Sequence, residues 1–179
     1  MKKTDYLFRG LALAGVLMAG QAMAASDGTL GATSTGTSLV SLTINDRVQI
    51  SSVADIPLGA YIGTGTMTGQ STYCVHRNGG GNYQLTLTAD TGAFQVDSAS
   101  AVASIPFAVA VDDDLDASAG GETLTYNTAS AVALVGSNSV TCGGADNAAM
   151  YVSFAEVDLQ AAPPAADYQA TVTLLVEPI

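Results

Sequence analysis

Apolar and polar residues alternate with a period of two through nearly every ordered-looking stretch of the chain, which is the signature of half-buried β-strands. Val40, Leu42 and Ile44 share one face, with Ser41 and Thr43 on the other. Tyr83, Leu85 and Leu87 alternate with Gln84, Thr86 and Thr88. Phe107, Val109 and Val111 repeat the pattern, as do Met150, Val152 and Phe154. The longest run comes last, with Tyr168, Ala170, Val172, Leu174 and Val176 on one side and Gln169, Thr171 and Thr173 on the other. Valine and threonine enrichment supports strands, because branched side chains fit a pleated surface.

Turn clusters separate these runs. The glycine-rich residues 78–82 read as a hairpin loop, and residues 119–121 and 142–147 are expected to do the same. No sustained 3.6-residue period follows residue 24, so no long helix is predicted. About seven strands with regular turn signals predict an all-β, two-sheet antiparallel sandwich, with a closed barrel as the other arrangement.

Three regions depart from the alternation. Lys2, Lys3 and Arg9 precede a short apolar run at residues 11–19, followed by the small-x-small triplet Ala22-Met23-Ala24. This is the layout of an export signal, residues 1–24, cleaved after Ala24; the run falls short of the about 20 residues that a membrane-anchoring helix needs. Residues 25–38 are small, polar and rich in glycine and threonine, and are expected to form a flexible N-terminal arm, with the sandwich domain over residues 39–179. At the other end the chain stops at Ile179, just after the long final strand, so the free edge of that strand must be managed somehow.

Charge narrows the field of partners. Beyond residue 24 the only basic residues are Arg47 and Arg77, against fifteen acidic ones, a formal charge of −13. No cluster of cations exists to displace counterions from phosphate, so nucleic acid and anionic lipid surfaces are excluded as partners, and no membrane insertion is expected. Hydrophobic residues make up 48% of the chain, enough for a core.

Candidate chemistry is sparse. Cys74 and Cys142 are the two cysteines of a chain bound for an oxidising compartment, where pairing is the default, an intermolecular bridge or free thiols being the alternatives. His76, the single histidine, lies two residues from Cys74 and reads as a surface histidine near a hairpin; a Cys–His dyad would lack an orienting third group. Asp112, Asp114 and Asp116 stand at calcium-loop spacing, but Ala117 occupies the position that needs glycine and Thr123 the one that needs glutamate. The run is read as a solvated turn, with a weak calcium site as the alternative. No cofactor is expected, and no nucleophile–base constellation, phosphate loop or zinc motif is present, so the chain is read as structural and not as an enzyme.

The export signal, the polar arm, the stretch Val48-Gln-Ile-Ser-Ser-Val-Ala-Asp-Ile-Pro-Leu-Gly59 and the closing Tyr168-Gln-Ala-Thr-Val-Thr-Leu-Leu-Val176 together resemble subunits of chaperone–usher pili of the archaic and alternate types, the spore coat protein U group among them. The resemblance implies an immunoglobulin-like sandwich lacking its final strand, whose groove is filled first by a periplasmic chaperone and then by the arm of a neighbour. Partners would be other copies or sister subunits, the chaperone and an outer-membrane usher. Location would be the periplasm in transit and then the cell surface, as a fimbrium serving adhesion or biofilm formation. Mapped onto this chain, the donor strand would present Leu30, Ala32, Ser34 and Gly36. The acceptor groove would be edged by Val40, Leu42 and Ile44 and by Tyr168, Ala170, Val172, Leu174 and Val176. The competing reading is a self-complete secreted β-sandwich acting as a binding or coat module.

Overall fold

The computed structural model describes residues 25–179, and the expected export signal lies outside them. Two units are present, one ending at Ile44 and one spanning Asn45–Ile179.

The second unit carries ten strands: β1 (Val48–Ser51), β2 (Met67–Arg77), β3 (Asn82–Ala89), β4 (Gln95–Ser98), β5 (Ala103–Pro106), β6 (Ala108–Asp112), β7 (Glu122–Thr123), β8 (Leu134–Val135), β9 (Ala148–Phe154) and β10 (Val172–Pro178). One short helix, α1 (Glu156–Ala161), precedes the last strand. The fold is all-β and sandwich-like. One sheet has the order β1-β2-β9-β6-β7, a second the order β10-β3-β8, and β4 and β5 form a hairpin of their own. All strand pairings are antiparallel.

Alternation explains which side chains fill the space between the layers. On β3, Tyr83, Leu85, Leu87 and Ala89 are buried, while Gln84, Thr86 and Thr88 lie on the opposite face. From the other sheet, Tyr73 and Val75, Val109 and Val111, and Met150, Val152 and Phe154 meet them. Phe107 stacks on Phe94 with centroids 5.8 Å apart and tilts against Phe154 at 5.3 Å, closing one end of the core. Cys74 and Cys142 are joined in a disulfide, with Cα atoms 5.9 Å apart, fastening β2 to the turn before β9.

Residues 78–82 do not make the expected hairpin. β2 pairs with β1 and β9, whereas β3 pairs with β10 and β8, so this loop carries the chain from one sheet to the other. Gly79 and Gly80 have φ of 80° and 67°, a left-handed pair that turns the chain within one 3-10 turn and re-aims it at the opposite layer. Residues 142–147 likewise connect different sheets, β8 to β9. The loop containing residues 119–121 does close a hairpin, since β6 pairs with β7 through Ala110–Thr123 and Val111–Glu122.

The final strand is shorter than the alternation predicts. Ladder pairing begins at Val172, and upstream Gln169 bridges Asp97 of β4. The expected strand over Val40, Leu42 and Ile44 is absent: these residues lie outside any ladder and are exposed, and pairing starts only at β1. Asn45-Asp46-Arg47 interrupts the apolar alternation there.

In the first unit, Ser26 and Thr37 exchange backbone hydrogen bonds of 3.1 and 2.9 Å, which closes residues 26–37 into a loop. Gly28 and Gly36 permit the close approach: a Cβ on Gly28 would lie 1.9 Å from Ser34 Oγ, and one on Gly36 3.1 Å from Ser26 O. Leu30 sits at the bend and is fully exposed.

Candidate functional site

The sandwich is uncovered along one side. β10 pairs with β3 and has no ladder partner on its other side among the described residues. Its inward residues Val172, Leu174 and Val176 are only half-buried, although they pair with the fully buried run Ala89, Leu87 and Leu85. Beside this edge lies an apolar groove of about 270 Å³. Ala170, Val172 and Leu174 form one wall, and residues 53–58, with Val53, Ile56 and Leu58, form the other. Phe107, Met150, Val152 and Phe154 make the floor.

The second wall was not legible in advance. Residues 52–60 carry no ladder pairing, and the wall is held by Ala54 N donating to Ser71 Oγ at 3.1 Å and by contact over Gly69. A Cβ on Gly69 would lie 2.3 Å from Ile56 Cγ2 and 2.6 Å from Leu58 Cδ2. That glycine inside β2, opposite Val152, is the sequence signal for a close approach. Of the expected edge residues, Ala170, Val172 and Leu174 line the groove. Tyr168 and Val176 pack on the core beside it, and the Tyr168 hydroxyl donates to Pro163 O at 2.9 Å. Val40, Leu42 and Ile44 belong to the first unit and lie outside any backbone ladder.

The expected donor series fares differently. Leu30, Ala32, Ser34 and Gly36 lie in the closed loop of residues 26–37 and do not alternate along a strand. Small residues and glycines favour that compact turn over an extended ribbon. The exposed apolar alternation of the first unit is instead Val40, Leu42 and Ile44, outside any backbone pairing.

Two anchors fix the groove's surroundings. Asp167 accepts from the Ser98 hydroxyl, from Ser100 Oγ at 2.7 Å and from Ser100 N at 3.0 Å, which ties the segment before β10 to the tip of the β4–β5 hairpin. Those hydrogen bonds stabilise the carboxylate and hold the Asp167 pKa down to about 2. Asp97 and Gln169 add a reciprocal pair of 3.0 and 3.1 Å, and Asp90 Oδ1 accepts from Thr171 N at 2.9 Å. The second anchor surrounds Arg77. Its Nη1 donates to Asn82 O and Ile179 O, and its Nη2 lies 3.4 Å from Asp46 Oδ2. Gly81 and Gly136 make room for it: a Cβ on either would lie 2.8–2.9 Å from Arg77 atoms.

The remaining candidates play structural parts. His76 is buried, contrary to the surface position expected, and its Nδ1 pairs with Ser137 O at 2.9 Å, because β2 lies inside its sheet at that point. Cys74 is oxidised and forms no dyad with it. In the acidic run, Asp112 Oδ1 accepts from Asp113 N, Asp114 Oδ1 from Asp116 N, and Asp116 from Ser118, so the carboxylates cap their own turn. Asp113 reaches across to Val135 N at 2.7 Å. Desolvation, opposed by the Asp113 amide, holds Asp112 above the usual carboxylate range. No group of three His, Cys, Asp or Glu among the described residues is arranged to hold a metal ion. Burial raises the pKa of the Tyr73 and Tyr83 hydroxyls, keeping both neutral in the core. Comparison with protein-family models and with curated proteins finds no match for the chain.

Proposed function

We propose that the chain is a structural subunit of a bacterial surface fibre, and that the groove beside β10 receives residues 38–44 of another copy as an added strand. One observation carries this reading: a seven-residue hydrophobic strand with an unpaired edge borders an open apolar groove, and the same chain holds an exposed segment of matching alternation. An unpaired edge of that length is an aggregation hazard unless something covers it. Strand addition satisfies its backbone groups and lets alternate side chains set the register.

Magnitudes favour Val40, Leu42 and Ile44 over the Leu30 series as the occupant. Burial of three branched side chains contributes about 1.5–3 kcal/mol each. That sum is comparable with the about 4–15 kcal/mol lost on association, and backbone pairing adds to it. Leu30, Ala32, Ser34 and Gly36 offer one large apolar group between them. A periplasmic chaperone guarding the groove before assembly and an outer-membrane usher are the partners this reading implies, with export through the periplasm to a fimbrium. The reading of a self-complete secreted module draws support from Ile56 and Leu58, which already cover Gly69 from within the same molecule.

Deletion separates the two. A chain lacking residues 38–44 is expected to lose self-association in sedimentation velocity, while one lacking residues 25–37 keeps it. Unchanged association in the first variant would leave the self-complete module as the function.

A further inference from the structure

Hydrogen bonding along β10 alternates, and the alternation decides which of its backbone groups are free. In an antiparallel pair only every second residue exchanges bonds with the partner strand. Asp90 N donates to Thr171 O at 3.1 Å and Ile179 N to Asn82 O at 3.2 Å, so the odd-numbered residues face β3. Thr173, Leu175 and Glu177 therefore bond to β3, whereas Val172, Leu174, Val176 and Pro178 turn their backbone groups to the free edge. Ala170 does the same, since its neighbours Gln169 and Thr171 bond to Asp97 and Asp90. The residues that line the groove, Ala170, Val172 and Leu174, are thus also the ones that offer donors and acceptors at its rim.

Pro178 is the exception in this row, because it has no N–H to donate. Its place in the ladder, opposite Tyr83, is tolerated because the missing donor faces away from β3. We infer that Pro178 is a register stop, which confines a strand added from another copy to residues 170–176. This rests on the strand-addition reading above. Side chains do not set the register by themselves. Val172, Leu174 and Val176 repeat every two residues, and so do Val40, Leu42 and Ile44. A slip of two residues therefore keeps every apolar side chain on the inward face.

The stop favours the register that the groove can use. Of the outward-bonding row, Ala170, Val172 and Leu174 lie beside the floor of Phe107, Met150, Val152 and Phe154. A strand slipped toward Ile179 leaves that floor and meets Pro178, where one of its own carbonyls finds no donor. One backbone hydrogen bond corresponds to a roughly 2–10-fold difference in population. Beyond Pro178 the Ile179 carbonyl already accepts from Arg77 Nη1. The open stretch, residues 170–176, spans about 20 Å at the usual strand rise, which is the extended length of residues 38–44. Proline at one end of an exposed edge also limits indiscriminate edge-to-edge pairing.

The experiment uses the full chain carrying Val40→Ser, Leu42→Ser and Ile44→Ser, with and without Pro178→Ala. The added strand is a peptide spanning residues 38–45, with a nitroxide attached through Asn45→Cys. Its position is read from the broadening of β10 amide resonances. Pro178 is exposed, and unchanged amide exchange at Thr173 and Leu175 checks that the ladder with β3 survives its replacement. With Pro178 in place, a single centre of broadening is expected. In Pro178→Ala a second centre, displaced by two residues toward position 178, is expected at roughly 2–10-fold higher population than in the parent. The new amide at position 178 should exchange freely alone and slow when peptide is added. One unmoved centre in both chains, or two equally populated centres in both, overturns the inference. So does an amide at position 178 that is protected before peptide is added. Peptide that broadens no β10 amide in either chain contradicts the strand-addition reading, and the inference with it.

Discussion

β3 and β10 are hydrogen-bonded neighbours with the same alternation, yet they live in different environments. Leu85 and Leu87 are fully buried, while Val176 and Leu174, their partners across the ladder, are half-exposed. Sequence periodicity reports which face of a strand points inward; it carries no information on whether a second layer covers that face. The disulfide and the buried tyrosines belong to the covered side, while Phe107 and Phe154 reach from the core into the floor of the groove. The uncovered side is held by hydrogen bonds at its rim and by one wall of irregular backbone.

The sharpest way to break the comparison is to truncate matched side chains. Leu85→Ala is expected to lower unfolding stability by about 3–5 kcal/mol, as for other fully buried leucines. Leu174→Ala should cost about 1–2 kcal/mol, since its side chain is only partly buried. Urea denaturation of the two variants measures both, and equal losses would show that the groove side is covered. Replacing Cys74 and Cys142 with alanine is expected to cost about 4 kcal/mol by releasing a 68-residue loop in the unfolded chain. The same denaturation series checks it.

Gly69→Ala addresses the wall. Its new methyl collides with Ile56 and Leu58, so residues 53–58 must shift, at about 1–3 kcal/mol. Amide hydrogen exchange should rise at Ala54 and stay unchanged in β3. The smallest effect is expected at Asp167. Its pKa falls to about 2 in the folded chain from about 3.9 when unfolded. A depressed carboxylate stabilises the fold above the unfolded value, and the contribution fades as pH falls from about 4 toward 2. The difference in urea midpoint between the wild type and Asp167→Asn should therefore be constant above pH 5 and vanish near pH 2.

Fold class and the disulfide were legible because both follow from local rules: period-two patterning and an oxidised cysteine pair. The strands around Leu85, Val109 and Val152 stand where alternation put them. The topology was not legible. Glycine-rich residues 78–82 look the same whether they close a hairpin or cross between layers, since φ > 0 serves both. Val40, Leu42 and Ile44 show the same limit from the other direction, carrying a strand pattern with no ladder to join. The groove needed Gly69, Ile56 and Leu58 read together, and their proximity exists only after β2 is laid beside residues 53–58. Asn78 looked like a turn residue, and its use as a surrogate peptide unit depends on Arg47 lying opposite.

The central claim is that the free edge of β10 takes a strand from another copy. Its most direct test uses the full chain carrying Val40→Ser, Leu42→Ser and Ile44→Ser, with amide hydrogen exchange followed along residues 172–177. Addition of a peptide spanning residues 38–45 is predicted to slow exchange at alternate amides of β10, while β3 stays as it was. Exchange along β10 that ignores saturating peptide would contradict the account.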